Sequence, residues 1–323
     1  MLWTLLACNG APSVSETEHT GETGSASSSE SGIVTDPTGH TGVGPGPHSA
    51  DSAHTGDSAH TGLPAPPIDY AATGPHGAVR SEVTARDTSC RGGMRVIRFD
   101  PDGVPASAVV VVAHGFSGNP GQVVGWGQHW ASWGLTVLVP DLCHSMPWNV
   151  DHEQNGLDMV ALAAELAPGL APAYAGHSAG GLAALVAAAS DGGAVAHLGL
   201  DAVDAFGIAG RTIGSLTAPA AALFAEPSSC NASNNMVSIY DGAAVPTVKV
   251  VGSDHCDWLR PTDPTCALAC ATGPRDPVIE PTIDTTSTAF LLWRTGLDPS
   301  ASTWWTPGEA GWDSLVAAGA IVP

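Results

Sequence analysis

The stretch that decides the fold is residues 171–190, APAYAGHSAGGLAALVAAAS. Its first part is a short apolar run typical of a buried strand, and its last part consists of strong helix formers. Between them, Ser178 has one glycine two positions before it and another two positions after it, which is the pattern G-x-S-x-G. Glycines at those positions let a strand and a helix approach closely while the serine adopts a strained turn. The stretch therefore predicts a strand–turn–helix unit that exposes the Ser178 hydroxyl above a sheet.

Apolar strands and helices alternate along the chain from about residue 70. The run VVVVA at 109–113 is typical of a strand that is buried on both faces. Further strands are predicted at 135–139, 197–200, 220–224 and 247–251, and helices at 121–133, 154–166 and 288–293. This alternation predicts an α/β fold with a mostly parallel central sheet flanked by helices, and we expect residues 70–323 to form that single domain.

One histidine is placed where it could act on Ser178. His255 lies just after the strand predicted at 247–251. A loop at the carboxyl end of a parallel strand can reach over the edge of the sheet, and a neutral imidazole can accept the proton of a serine hydroxyl. We therefore predict Ser178 as a nucleophile and His255 as its base, with an ordinary surface histidine as the alternative.

Three carboxylates could orient the imidazole of His255. Asp201 ends the strand predicted at 197–200, Asp204 follows it closely, and Glu226 ends the next strand at 220–224. A serine, an acid and a histidine in this chain order suit a strand–turn–helix nucleophile. The remaining alternative is that all three are surface carboxylates.

These segments resemble the α/β-hydrolase superfamily, most closely its chlorophyllase and polyester-hydrolase (cutinase-like) branch. The resemblance rests on residues 114–116, 176–181, 199–204 and 254–257, within a similar layout over residues 75–296. It implies a carboxylic-ester hydrolase of the lipase type that works through an acyl-enzyme, with a small-molecule or polymeric ester as substrate and with no cofactor or metal. An amidase or peptidase of the same fold, or an inactive hydrolase fold that serves as a surface binding protein, is the alternative.

The resemblance also ranks the acids and implies an oxyanion hole. Chlorophyllases have their acid after the strand that follows the nucleophile helix, where this chain has Asp201, although Ala202 stands in place of a proline. Polyester hydrolases have an aspartate one strand later, where this chain has only Glu226, so we prefer Asp201. The backbone N–H groups of Phe116 and Ala179 are the implied oxyanion donors.

The N-terminus resembles a bacterial lipoprotein signal. Residues 1–8 read MLWTLLAC and end in a lipobox-like LLAC, whose cysteine, Cys8, would be lipidated. Residues 9–69 contain few large apolar side chains and repeat DSAHTG at 51–56 and 57–62, which predicts a disordered tether. We expect an exported lipoprotein, periplasmic or on the cell surface, that touches the membrane only through its lipid.

Charge excludes one class of partner. The chain has 31 acidic and only 10 basic residues, for a formal net charge of −21. Such a chain repels polyanions, so we expect no nucleic-acid partner. We expect the domain to be a monomer.

Six cysteines besides Cys8 suggest up to three disulfides in an exported chain. We predict a bridge between Cys230 and Cys256, because they follow strands expected to be neighbours and because some polyester hydrolases join the corresponding loops. Cys266–Cys270 and Cys90–Cys143 would then be the other two pairs. The competing arrangement joins Cys256 to Cys266 or Cys270 and leaves Cys230 to Cys90 or Cys143.

Overall fold

A computed structural model describes residues 68–272 and 276–323 of the chain. The predicted signal segment with Cys8, and nearly all of the predicted tether, lie outside the described residues. Near the start of the described chain, Tyr70 is buried, and its hydroxyl donates a 2.6 Å hydrogen bond to Asp298 Oδ2. This contact joins the start of the described chain to its C-terminal part.

Strands and helices alternate through most of the described chain. The strands are β1 (Ala78–Ala85), β2 (Met94–Pro101), β3 (Ala108–Ala113), β4 (Thr136–Pro140), β5 (Ser145–Met146), β6 (Asn149–Val150), β7 (Ala171–His177), β8 (Ala196–Leu200), β9 (Ala220–Phe224), β10 (Thr247–Val250) and β11 (Ile321–Val322). The helices are α1 (Val124–Ser132), α2 (His152–Leu166), α3 (Ala179–Ser190), α4 (Ile208–Thr212), α5 (Val237–Gly242), α6 (Pro264–Cys270), α7 (Glu280–Arg294) and α8 (Ala310–Ala317). Each predicted strand and helix occurs within a few residues of its predicted ends, except that α7 begins well before residue 288.

Nine of these strands form one sheet in the order β1-β2-β4-β3-β7-β8-β9-β10-β11. The pairs β1–β2, β2–β4 and β10–β11 are antiparallel, and every pair from β4 to β10 is parallel. The predicted α/β fold with a mostly parallel central sheet is therefore confirmed. The carboxyl ends of the parallel strands meet at one edge of the sheet, where loops after β3, β7, β8 and β10 lie side by side.

The valines of β3 show why this sheet is covered on both faces. All six residues of β3 are buried. Val110 and Val112 belong to the apolar core that includes α1 and α7, whereas Val109 and Val111 belong to the core that includes α2 and α3. Because successive side chains of a strand point to opposite faces, a continuous run of valines requires helices on both sides.

The disulfides partly overturn the predicted pairing. The bridges are Cys90–Cys143, Cys230–Cys270 and Cys256–Cys266, with Cα separations of 5.8, 5.7 and 5.8 Å. The pair Cys90–Cys143 is confirmed, whereas Cys230–Cys256 and Cys266–Cys270 are wrong. Residues four apart on a helix have Cβ atoms about 5–6 Å apart, too far for a disulfide, so the helical conformation of α6 excludes its local pair. Instead, the two cysteines of α6 form disulfides with two different loops: Cys266 with Cys256, and Cys270 with Cys230.

Three disulfides indicate an extracytoplasmic protein, because the cytoplasm keeps thiols reduced. Among the described helices, none combines the length and the apolar character that crossing a bilayer requires.

Candidate active site

Ser178 occupies the tight turn between β7 and α3. Its backbone has φ 58° and ψ −129°, a conformation that is rare for a residue other than glycine. Two hydrogen bonds hold the turn: the Ser178 N–H donates to Leu200 O at 3.2 Å, and the Val203 N–H donates to Ser178 O at 3.1 Å. Strain of this kind costs about 1–3 kcal/mol and persists where the surroundings over-determine it. The predicted strand–turn–helix unit is present.

Glycines let the neighbouring chain segments approach this turn. A Cβ on Gly181 would lie 2.6 Å from Ala202 Cβ, and a Cβ on Gly115 would lie 3.0 Å from Ser178 Cβ. The separation at Gly181 is shorter than real Cβ contacts, so a larger residue there would force the neighbouring segments apart, and the separation at Gly115 is tighter than nearly all of them. The loop after β3 therefore lies directly against the serine.

The structure brings His255 and Asp201 together at the carboxyl edge of the sheet. His255 Nδ1 lies 2.5 Å from Asp201 Oδ2, and both side chains are buried. Asp201 ends β8 with φ 44°, and its Oδ1 accepts a 3.0 Å hydrogen bond from the Ala225 N–H. Among the described residues, the Ala225 N–H and the Asn231 amide also donate to this carboxylate, and an acceptor beside Nδ1 favours the tautomer of His255 that carries its proton on Nδ1.

Asn231 completes the surroundings of Asp201 and was missed in the sequence. Its Nδ2 lies 3.2 Å from Asp201 Oδ2 and 2.9 Å from Glu226 O, and the side chain is fully buried. Its Oδ1 accepts from the Ser228 N–H at 2.7 Å, which fixes the orientation of the amide. No local pattern marks Asn231, because it lies in an irregular loop after β9 and meets Asp201 only through the tertiary fold.

The other two candidate acids are engaged elsewhere. Glu226 accepts from Lys249 Nζ at 3.1 Å and from the Gly252 N–H at 3.2 Å, and the Gly252 bond is the main cause of its lowered pKa. Asp204 accepts from the Ala209 N–H at 2.8 Å, and burial raises its pKa. Of the three predicted candidates, only Asp201 contacts His255 among the described residues. The catalytic roles themselves stay predictions.

His177, the residue before the serine, ties the His255 loop to the turn. The two imidazole rings lie 4.4 Å apart between centroids, and His177 Nε2 donates to His255 O at 2.9 Å. Burial, together with the nearby His255, lowers the pKa of His177 well below its usual value, so the ring is neutral and Nε2 carries the proton. Within the described chain, the Ser178 hydroxyl makes no hydrogen bond to His255.

The two predicted oxyanion donors are both available. Phe116 lies in the loop after β3, and Ala179 is the first residue of α3, where the helix dipole places partial positive charge. Neither N–H donates a hydrogen bond to another of the described groups. His114 supports the loop: its Nδ1 donates to Gly115 O at 2.9 Å, and burial lowers its pKa, which keeps it neutral.

The tryptophans on the segments that flank Ser178 differ in their burial. Trp126, Trp130 and Trp258 are fully buried, and the rings of Trp126 and Trp130 stack at 5.0 Å between centroids. These three are core residues. Trp148, at the tip of the β5–β6 hairpin, is 82% exposed.

The described residues contain two groups of side chains that could offer ligands to a metal, and within each group the ligand atoms lie within 4.8 Å of one another. They are Cys256, Cys266 and Cys270, and Cys90, Cys143 and Asp158. Every cysteine in both groups is part of a disulfide. A metal binds the thiolate form of cysteine, so these sulfurs are not ligands in this state.

A scan of the sequence against protein-family models finds no match, and a search among curated proteins finds no relative. The structure by itself defines a mixed α/β protein with a mostly parallel central sheet, an arrangement consistent with that of α/β-hydrolases.

Proposed function

We propose that this protein is a carboxylic-ester hydrolase of the α/β-hydrolase superfamily, similar to chlorophyllases and polyester hydrolases, with Ser178 as nucleophile. The observation that carries the proposal is the buried 2.5 Å pair of His255 Nδ1 and Asp201 Oδ2 beside the strained turn of Ser178. A carboxylate that fixes the Nδ1–H tautomer leaves Nε2 free to accept a proton. A merely structural histidine does not need this arrangement next to a strained serine turn.

The reaction would proceed in two halves. Ser178 Oγ attacks the ester carbonyl while its proton passes to His255 Nε2, and the Asp201 carboxylate stabilises the imidazolium that forms. The N–H groups of Phe116 and Ala179 would hold the oxyanion of the tetrahedral intermediate. The imidazolium then gives its proton to the leaving alcohol, and water, activated by the same imidazole, hydrolyses the acyl-enzyme.

The missing hydrogen bond between Ser178 and His255 is compatible with this reaction. Catalytic hydrogen bonds in enzymes without substrate are often long or poorly aligned and shorten in the complex. Asp201 holds the His255 ring at Nδ1, and the bond from His177 holds the His255 backbone. A change of the Ser178 side-chain rotamer is therefore the adjustment that we expect on substrate binding.

We also propose that the protein is exported and anchored through a lipid on Cys8. The three disulfides support export, and the lipobox-like residues 1–8 support the anchor. The long polar segment after Cys8 would then hold the enzyme at a membrane face. Its substrate would be a small or polymeric ester that reaches that face.

The direct test uses a fluorophosphonate probe and a series of p-nitrophenyl esters from acetate to palmitate. The parent protein should be labelled once and should hydrolyse at least part of the series, whereas Ser178→Ala should do neither. Circular dichroism and the thermal midpoint serve as controls that the variant is folded. Labelling that persists in Ser178→Ala would place the nucleophile elsewhere, and a parent protein that is neither labelled nor active would refute the proposed function.

A further inference from the structure

A single segment holds both ends of the loop that carries Phe116. The segment is residues 142–150, which we call the brace; it follows β4 and contains the β5–β6 hairpin. The Leu142 N–H donates to His114 Nε2 at 3.2 Å, and the Ser117 N–H donates to Ser145 O at 2.7 Å. His114 and Ser117 flank Gly115 and Phe116, so the brace fixes the direction of the Phe116 N–H from both sides.

The loop depends on this support because its own conformation is unfavourable. Ser117 has φ 55°, in the region that favours glycine. Such a residue keeps its conformation only where neighbouring groups impose it. The bond from Ser117 to the brace is one contact that does so, beside the bond from the Gly118 N–H to Gly115 O at 3.0 Å, and the Ser145 side chain stabilises the brace by donating to Leu142 O at 2.9 Å.

A cluster of side chains holds the brace against the rest of the domain. We call it the clasp: the disulfide Cys90–Cys143 and the side chains of Ser89, His144 and Asp158. Cys143 and His144 belong to the brace, and the other three residues lie outside it. Ser89 Oγ donates to Asp158 Oδ2 at 2.6 Å and lies 2.8 Å from His144 Nε2.

Asp158 gives the clasp its anchor. The residue lies on α2 and is only 2% exposed, and its Oδ1 accepts from the Ser89 N–H at 2.8 Å and from Gln154 Nε2 at 3.1 Å. A buried carboxylate that loses its donors is costly, so the turn that carries Ser89 is fixed against α2. On the brace side, Asn155 of α2 donates from Nδ2 to His144 O at 2.9 Å.

We propose that the clasp positions the oxyanion donor Phe116 for catalysis, in addition to stabilising the fold. The path runs from Asp158 and Ser89 to His144 and Cys143, through the brace, and then to Ser117 and the Phe116 N–H. Ser89, His144 and Asp158 are thus positioning residues that touch no substrate. This inference rests on the proposed ester hydrolysis.

The kinetic test compares Ser89→Ala with Ser89→Thr, which restores the hydroxyl, and with the double variant Cys90→Ala/Cys143→Ala. Loss of one oxyanion donor lowers kcat by about 10²–10³, so a displaced donor should lower kcat by about tenfold. KM should stay within about twofold, because the donor acts in the transition state. Ser89→Thr should recover most of kcat.

Tyr70→Phe is the matched control, since it also removes a 2.6 Å hydroxyl-to-carboxylate bond, but one outside the brace and clasp. It should lower the thermal midpoint without changing kcat. If Ser89→Ala lowers only the thermal midpoint, as the control does, the clasp is merely structural and the inference is wrong.

A second measurement does not depend on activity. Hydrogen exchange of the Ser117 amide, followed by NMR, should accelerate at least tenfold in Ser89→Ala and in the double cysteine variant, and should be unchanged in Tyr70→Phe. A parent protein without esterase activity would refute the proposed function, while the exchange rates would still decide whether the clasp holds the loop. Unchanged exchange at Ser117 would overturn the inference even if the protein is an active esterase.

Discussion

Replacing Asp201 with asparagine changes one atom and tests the proposed acid directly. Among the described residues, Oδ1 of Asp201 accepts from the Ala225 N–H at 3.0 Å, and Oδ2 lies 2.5 Å from His255 Nδ1. Asn231 Nδ2 lies 3.3 and 3.2 Å from the two oxygens. The NH₂ group of the new amide must therefore face a donor at either position.

The tautomer of His255 decides where that NH₂ group goes. The Ala225 N–H is a backbone donor and cannot become an acceptor, whereas an imidazole can move its proton from Nδ1 to Nε2. We therefore expect the amide to point its NH₂ at His255 Nδ1, which places the imidazole proton on Nε2 and removes the base that Ser178 needs. The wrong tautomer costs about 10⁴ in kcat in a serine protease, equivalent to about 5.5 kcal/mol in the activation free energy.

The assay is hydrolysis of p-nitrophenyl butyrate at saturating substrate, with Glu226→Gln and Asp204→Asn as matched acid-to-amide controls. Both controls should keep kcat within about threefold, because Glu226 and Asp204 bond to other groups. If Asp201→Asn keeps more than a tenth of the parent kcat, or if Glu226→Gln is the inactive variant, Asp201 does not orient the imidazole.

Four further outcomes are expected. Ser178→Ala should lower kcat by about 10⁴–10⁶ and abolish fluorophosphonate labelling; a residual rate above a few per cent contradicts the assignment. Asn231→Ala removes a donor from a buried carboxylate, so chemical denaturation should show a loss of about 1–3 kcal/mol in unfolding free energy; an unchanged value would mean that water replaces the amide. Non-reducing peptide mapping should find Cys230 joined to Cys270, and any other partner would overturn the structural pairing. Metabolic labelling with an alkyne fatty acid in a bacterial host should tag the parent protein and spare Cys8→Ser, whereas equal labelling of both would dispose of the lipobox interpretation.

Much of the sheet could be predicted because its signals are local. A strand buried on both faces must be apolar at every position, which the valines at 109–113 satisfy. The glycines around Ser178 report a close approach of backbones, and Gly181 does lie against Ala202. The antiparallel strand β1 was not predicted, since most of its residues are exposed at the edge of the sheet and lack an apolar run.

Only part of the candidate site could be predicted from the sequence. Ser178 and His255 could be proposed from local patterns and chain order, but the acid could not be chosen on residues alone, because Asp201, Asp204 and Glu226 all follow strands. The choice depends on which side chain faces the loop of His255. Of the clasp, only the pair Cys90–Cys143 was predicted, and Asn231 and the contacts of Asp158 gave no signal, because their partners are distant in sequence.

The sequence by itself determined the α/β class, the strained turn at Ser178 and the excess of acidic residues, because propensity, periodicity and charge are properties of short segments or of composition. Only the tertiary structure decided the contact of Asp201 with His255 and the pairing of the four cysteines other than Cys90 and Cys143. The two sulfurs of α6 illustrate the reason: Cys266 and Cys270 are close along the chain, yet the helix separates their Cβ atoms and presents them to Cys256 and Cys230. Which side chains meet across loops depends on the directions in which the strands and helices deliver them, and no local pattern records those directions.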